Sequence, residues 1–157
     1  NMDVLSKGCF LISREVYQNM MTQDKGGSII FISSKNSLNA SKGASAYSVA
    51  KSSLLHLSRS IALEGSIYKI RSNVVNPDAV IQNSKIWSGG WKKQRADGNK
   101  ISINKVEEFY KNRSLLKVSI LPEDIAEGVY FFASSKSKKS TGNILNVDGG
   151  NITSFTR

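Results

Sequence analysis

Apolar positions along the chain follow two alternating patterns, one with helical spacing and one with the continuous run of a buried strand. From Leu5 to Met20 apolar residues recur every three or four positions, which predicts a helix over about Met2–Met21. The glycine pair Gly26-Gly27 breaks this pattern and precedes the apolar run Ile29–Ser33. A short, β-branched run of this kind is typical of a parallel strand that is covered on both faces.

The rest of the chain repeats this alternation of apolar strands with amphipathic helices. Such an order favours right-handed crossovers and a parallel sheet, so we expect an α/β fold of the Rossmann-like, doubly wound class with three strands. The further predicted elements are a loop over 35–43, a helix over Ser45–Glu64 that stops at Gly65, a strand over Arg71–Val75 that ends at Asn76-Pro77, a helix over Val106–Arg113, a helix over Glu123–Ser134 and a strand over Asn143–Val147.

The segment Gln82–Val118 is longer than an ordinary connection and contains both tryptophans, Trp87 and Trp91. Long insertions in compact domains usually serve as lids or binding loops. The tryptophans could cap a substrate pocket or simply bury the insertion. We favour the pocket and predict that residues 82–118 form a substrate loop.

Composition changes this picture little. The 157 residues carry a net charge of +10, but the basic residues are scattered, with local clusters only at 92–95 and 136–139. A solvated surface is therefore a better interpretation than a nucleic-acid site. The single cysteine, Cys9, forms no internal disulfide, and no apolar run has the ~20 residues of a membrane span, so we expect a cytoplasmic protein without a membrane partner.

Candidate chemistry lies where the first predicted strand ends. Ligands of open parallel sheets bind outside the carboxyl ends of the strands, and Ser33 and Ser34 lie there. On the next helix Tyr47 and Lys51 are four positions apart and share one face. An ammonium near a phenol favours the phenolate, and a serine hydroxyl can polarise a carbonyl.

Together Ser34, Tyr47 and Lys51 fit a site that interconverts carbonyls and alcohols. On these three residues alone, another interpretation is equally good: Tyr47 as a packing residue and Lys51 as a solvated charge. The lone His56 has no second histidine beside which to bind a metal, and Asp148 before two glycines is explained by turn chemistry. We therefore expect no metal site.

Four ordered stretches resemble the short-chain dehydrogenase/reductase family. The stretch GGSIIFISS resembles the strand that carries the family's catalytic serine, and AYSVAKSSLLHLSRSIALE resembles the helix with its tyrosine and lysine. IRSNVVNPDAV is similar to the strand and turn beside the nicotinamide, and LPEDIAEGVYFFASSKSKKSTGNILNVDGG to the closing helix and strand. The match covers most of the chain.

The resemblance implies an oxidoreductase that uses NAD or NADP on a small-molecule substrate. Ser34 would position the substrate carbonyl, Tyr47 would be the general acid or base, and Lys51 would favour the ionised phenol and hold the nicotinamide ribose. Val80, in the turn after Pro77, would contact the carboxamide through its backbone. The family's helices that match the two long predicted helices commonly pack against a second copy, which implies a homo-oligomer.

The chain departs from the family pattern at several positions. Asp78 replaces the usual glycine after Pro77, Gln82 replaces a phosphate-contacting threonine, and Leu5 falls where a helix asparagine supports proton relay. The Gly-rich phosphate loop and the residue that selects NAD or NADP are not among these 157 residues. We therefore expect residues 1–157 to be the C-terminal part of one dehydrogenase domain, inactive in isolation. The alternative is a catalytically incomplete fragment that serves only in assembly.

Within the family, the loops SKNSLNAS, NPDAVIQNSKIWSGGWKKQR and NRSLLKVSILPEDIAE resemble a narrower group. They are most similar to the dehydrogenase portion of bifunctional rhamnulose-phosphate aldolase/lactaldehyde dehydrogenase-type proteins. This resemblance implies a small 2-hydroxyaldehyde such as lactaldehyde as substrate, and a place in carbohydrate metabolism.

Overall fold

The three predicted strands form one parallel sheet in the computed structural model, which describes residues 1–155. Strand β1 spans Gly27–Ile32, β2 spans Ile70–Pro77 and β3 spans Ile144–Val147. Strand β2 lies in the middle and pairs in parallel with both neighbours. The predicted α/β class with three parallel strands is confirmed, and all three strands end at the same edge of the sheet.

Five α-helices surround this sheet, and most of them match the sequence pattern to within a few residues. They are α1 (Cys9–Gln23), preceded by a π-helical segment over Met2–Gly8, α2 (Ser45–Gly65), α3 (Gly90–Gly98), α4 (Val106–Arg113) and α5 (Pro122–Ala133). Helix α3 was not predicted, because its short, mostly polar sequence shows no apolar period. Within the described part of the chain, no helix combines the length and the apolar character needed to cross a membrane.

The main core lies between the sheet and the helices α1 and α2. Its buried residues include Phe31 from β1, Val74 from β2 and Leu54 from α2. Cys9 packs against this cluster as a partly buried residue, in keeping with its place in the apolar stripe of the first helix. The burial of these side chains fixes α2 against the ends of β1 and β2 and so fixes the helix that carries Tyr47.

Gly65 corrects one detail of the sequence interpretation. We expected the helix to stop at Gly65, but α2 includes this residue, whose φ is −79°, and the chain continues through a short 3₁₀ turn to Lys69, whose φ is +58°. A Cβ at Gly65 would lie 3.2 Å from the ring of Tyr17 and 3.1 Å from Cβ of Ile70. Close packing against α1 and β2 therefore explains this glycine.

Gly26, at the predicted break before β1, has a backbone requirement of its own. Its φ is +71°, and a Cβ there would lie 2.6 Å from the carbonyl oxygen of Lys69. We expect Gly26→Ala to lower the free energy of unfolding by about 2 kcal/mol in urea denaturation, because strain and overpacking add. Gly89→Ala is the matched control, since a Cβ there has no neighbour within 4 Å. Equal stability of the two variants would contradict this explanation.

A second apolar cluster lies within the segment 82–118. Trp87, Ala96, Val106 and Tyr110 are buried together, and the rings of Trp87 and Tyr110 meet edge to face at 5.3 Å. The segment thus has its own small core, which holds α3 and α4 in place beside the sheet edge.

Candidate active site

A cavity of about 590 Å³ opens where the strands end, and all of the predicted site residues line it: Ser34, Tyr47, Lys51, Pro77 and Val80. The residues come from the end of β1, from α2 and from the turn after β2. The structure therefore brings together around one cavity the groups that the sequence singled out. Their individual roles stay predictions.

Ser34 lies just beyond β1 and is half-buried. Its backbone is extended, and its Oγ accepts a hydrogen bond of 3.3 Å from the backbone N–H of Asn36, which caps a short 3₁₀ turn over Lys35–Ser37. Because the oxygen acts as acceptor in this contact, the hydroxyl proton is free to point into the cavity. Ser34 is thus placed to donate a hydrogen bond to a ligand.

Ser33, the other hydroxyl at the strand exit, has a different position. It is buried, and its Oγ donates a 2.9 Å hydrogen bond to the backbone carbonyl of Lys51 on α2. This contact ties the end of β1 to the helical turn that carries Lys51. The two adjacent serines therefore have different roles. Ser33 joins β1 to α2, and Ser34 faces the cavity.

Lys51 is held between the strand end and Tyr47. Its Nζ donates a 2.7 Å hydrogen bond to the carbonyl of Ile32 and lies 5.9 Å from the centre of the Tyr47 ring. Burial lowers the pKa of the Lys51 ammonium, and the nearby Cys9 opposes this effect. The Lys51 cation is thus fixed one helical turn after the half-buried Tyr47 ring.

The turn after β2 explains how Asp78 can replace glycine. The left-handed residue in this turn is Ala79, with φ of +48°, and not residue 78. Oδ2 of Asp78 instead accepts a 2.7 Å hydrogen bond from Nδ2 of the buried Asn151. Asp78 thus joins the turn after β2 to the segment that follows β3.

The other two departures have visible consequences. Leu5 lines the cavity and offers no polar side-chain atom there, so no relay through residue 5 is available. Gln82 donates a 2.5 Å hydrogen bond to Oε1 of Glu107, a contact that lowers the pKa of that carboxyl, with a further contribution from Ser119. The Gln82 amide is therefore engaged within the 82–118 segment.

The opposite wall of the cavity comes from that segment. Trp87, Trp91, Arg95 and Tyr110 all line the cavity. Trp87 is also part of the second core cluster, so the two interpretations offered for the tryptophans both apply to it.

Arg95 is a residue that the sequence interpretation did not single out. Its Nε donates a 3.1 Å hydrogen bond to the hydroxyl of Tyr110, and its Nη1 donates one of 3.3 Å to the carbonyl of Lys42. The guanidinium also lies over the Trp91 ring, 5.3 Å from the ring centre. These contacts hold the guanidinium in one orientation beside the cavity.

Lys35, directly after Ser34, was also missed. It lines the cavity and is only 5% exposed, an unusual degree of burial for lysine. Burial lowers the pKa of its ammonium, Asp78 and Asp148 oppose this change, and Arg95 and Arg113 add to it. A sign was present in the sequence, because the first residues after a parallel strand lie at the ligand edge of the sheet.

The buried charge on Lys35 leads to a stability prediction. Because its folded-state pKa lies below the ordinary value of 10.5, the charge opposes folding at neutral pH, and stability rises as pH increases through the lowered pKa. We expect Lys35→Met to raise the free energy of unfolding at pH 7 by about 1 kcal/mol, measured by urea denaturation, with a smaller gain at alkaline pH. Lys93→Met, on the exposed side of α3, is the control. A loss of stability in Lys35→Met would contradict the prediction.

Several known proteins are similar to this chain in sequence and in architecture. A family model described as Enoyl-(Acyl carrier protein) reductase matches residues 1–151. The chain is 50% identical over 157 residues to the uncharacterized oxidoreductase YuxG of Bacillus subtilis, which covers 100% of this chain and 23% of that protein. It is 32% identical to D-erythrulose reductase of Gallus gallus, over 97% of this chain and 57% of that protein.

Solved structures agree with the sequence comparison. The crystal structure of sorbitol-6-phosphate 2-dehydrogenase SrlD from Erwinia amylovora superposes with a TM-score of 0.85 at 32% identity, over 90% of this chain and 55% of that one. The chain thus spans about half the length of most of these relatives and about a quarter of YuxG. With the family model matching nearly its whole length, the chain belongs to the short-chain dehydrogenase/reductase family of oxidoreductases.

Proposed function

We propose that the protein transfers a hydride between NAD or NADP and a small hydroxy or carbonyl compound, with Ser34, Tyr47 and Lys51 at the reacting centre. The observation that carries the proposal is the single cavity that these three residues share with Pro77 and Val80. The family to which the chain belongs uses NAD or NADP.

The size and lining of the cavity suit the nicotinamide end of NAD or NADP. Its volume of about 590 Å³ lies within the usual range for ligand sites. The turn containing Pro77 and Val80 forms one wall and could meet a nicotinamide ring, while Tyr47 and Lys51 on α2 could meet its ribose. When bound, the cofactor supplies the hydride acceptor or donor.

The protein's own side chains would handle the proton. In alcohol oxidation the Tyr47 oxygen would take the proton of the substrate hydroxyl as the carbon-bound hydrogen leaves as hydride, and in reduction it would return that proton. Ser34 would donate a hydrogen bond to the same substrate oxygen. Lys51, fixed by the carbonyl of Ile32, would stabilise the ionised phenol.

Ser34→Ala tests the proposal in the protein as its gene encodes it. We expect kcat/KM to fall about 10²-fold in a cofactor-coupled assay with a panel of small hydroxy and carbonyl compounds, because one oxyanion-type donor is lost. Ser135→Ala is the control, since that serine is exposed and lies after α5. Undiminished turnover by Ser34→Ala would refute the assignment of Ser34.

The finer substrate prediction belongs to the same proposal. We include lactaldehyde in the panel because the loops of the chain resemble the dehydrogenase portion of bifunctional rhamnulose-phosphate aldolase/lactaldehyde dehydrogenase-type proteins. The substrate loop over 82–118, the C-terminal position of residues 1–157 within one domain, and a cytoplasmic location are kept as predictions.

A second candidate function is assembly without catalysis. It is favoured by exposed apolar side chains on the first two helical elements and on α2, where Val4, Ile12 and Leu63 are 74%, 68% and 79% exposed. Such a surface suits packing against a second copy of the chain, the homo-oligomer implied by the resemblance. Micromolar binding of NADH or NADPH by the 157-residue chain would contradict this second view, because an assembly half should bind neither.

A further inference from the structure

The cavity carries an excess of positive charge that the proposed hydride transfer does not use. Its charged side chains are Lys35, Lys51, Arg95 and a single carboxylate, Asp78. Lys51 is accounted for by its place beside Tyr47, and Asp78 is bonded to Asn151. Among residues 1–155, neither Lys35 nor Arg95 forms an ion pair with a carboxylate.

Of these two cations, Lys35 is the stronger indication that the cavity binds an anion. Its side chain is 95% buried, lines the cavity and makes no ion pair, because the single ion pair among residues 1–155 joins Arg14 to Glu15. The pKa of Lys35 is shifted by burial and by the charges of other side chains, and no hydrogen bond contributes to the shift. Its Nζ is not sealed among protein atoms but is open to the cavity, where a ligand anion would pair with it.

Nearby acids do not fill this role. Asp78 and Asp148 act on Lys35 only through longer-range attraction. The oxygens of Asp148 already accept hydrogen bonds from the backbone N–H groups of Gly150 and Asn151 and from the Ser154 hydroxyl. Arg113 and Arg95 act on the pKa of Lys35 in the opposite direction to these two carboxylates.

Arg95 supplies a second donor on the wall opposite β1. Its Nε and Nη1 are fixed by Tyr110 and Lys42, which leaves Nη2 without a partner among residues 1–155. A guanidinium held by neighbours loses little entropy when it binds an oxyanion, and it suits carboxylate and phosphate geometry. The cavity thus presents a compact ammonium and an oriented guanidinium.

We propose that Lys35 and Arg95 form an oxyanion subsite in the substrate cavity, so that the substrate is a small hydroxy or carbonyl compound carrying a carboxylate or phosphate group. The inference rests on the proposed function and narrows its substrate class. The anionic group would lie between Lys35, which follows Ser34 at the end of β1, and Arg95 on α3. A neutral 2-hydroxyaldehyde such as lactaldehyde would leave both cations unpaired and is a poorer ligand.

Equilibrium binding tests the subsite without needing turnover. Trp87 and Trp91 are the two tryptophans of the chain, and both line the cavity, so intrinsic fluorescence reports its occupation. The probes are inorganic phosphate, glycerol phosphate, glycerate and neutral glycerol. We expect glycerol phosphate or glycerate to bind at least tenfold more tightly than glycerol, and the preference between them distinguishes phosphate from carboxylate.

Variants then locate the binding. Lys35→Met and Arg95→Gln should each weaken binding of the preferred anion at least tenfold and leave glycerol binding unchanged, whereas Lys93→Met on α3 should alter neither. Inorganic phosphate should compete with the preferred anion. Anion binding that is no tighter than glycerol binding, or that survives both substitutions, overturns the subsite.

The two proposals fail in different ways. A subsite that binds anions while Ser34→Ala keeps full turnover would refute the hydride-transfer assignment alone. Normal dependence of turnover on Ser34 with no anion preference would refute the subsite alone.

Discussion

Tyr47→Phe is expected to lower kcat/KM by about 10³-fold, since the substitution removes the phenolic oxygen that would exchange a proton with substrate. The half-buried ring keeps its packing on α2, so the free energy of unfolding should change little. Cofactor-coupled initial rates, with urea denaturation alongside, measure the two quantities. The effect should fall on kcat, because the phenol acts in the transition state and adds little to substrate binding.

The control for Tyr47→Phe is Tyr130→Phe. Tyr130 lies on α5, is 59% exposed and does not line the cavity. The substitution Tyr130→Phe should leave both kcat/KM and the free energy of unfolding unchanged. Turnover by Tyr47→Phe that equals turnover by this control would remove the phenol from the mechanism.

Asp148→Ala is expected to have the largest effect on stability, a loss of about 3 kcal/mol, because three hydrogen bonds to one buried carboxylate disappear. We also expect Asp148→Ala to raise KM, because the loss of these hydrogen bonds should disturb the turn after β2. Asn151, which bonds to Asp148, also donates to Asp78 in the turn after β2. Urea denaturation and steady-state kinetics measure the two effects.

Two further variants separate a structural role of Asp148 from a catalytic one. Asp148→Asn can still accept the two backbone N–H bonds and should cost only about 1 kcal/mol while keeping turnover. Asp97→Ala, at an exposed position of α3, should change nothing. If Asp148→Asn instead abolished turnover in a fully stable protein, Asp148 would be a catalytic acid and the turn explanation would be wrong.

The sequence predicted the sheet and the three candidate catalytic residues because both depend on local order along the chain. A continuous apolar run fixes β1, and a parallel strand places its following residues at the ligand edge. Helical spacing then puts Tyr47 and Lys51 on one face of α2. These features need no knowledge of distant contacts.

The remaining features depend on contacts between distant parts of the chain. The packing reason for Gly65 was not predicted, because its neighbours Tyr17 and Ile70 are brought to it only when α1 and β2 pack together. Helix α3 is held in place because Trp87 and Ala96 are buried against α4. No apolar period in the sequence of α3 predicts this packing. Lys35 and Arg95 are 60 positions apart, so their shared cavity could not be foreseen from spacing.

Transfer of deuterium tests the central claim most directly. The protein as its gene encodes it would be incubated with a small carbonyl substrate and with NADH or NADPH deuterated at the hydride-donating carbon of the nicotinamide. We predict that NMR will find the deuterium on the new carbinol carbon of the product, and that Tyr47→Phe will form this product about 10³-fold more slowly. Product that forms without deuterium on that carbon, or equal labelled product from Tyr47→Phe, would contradict the account.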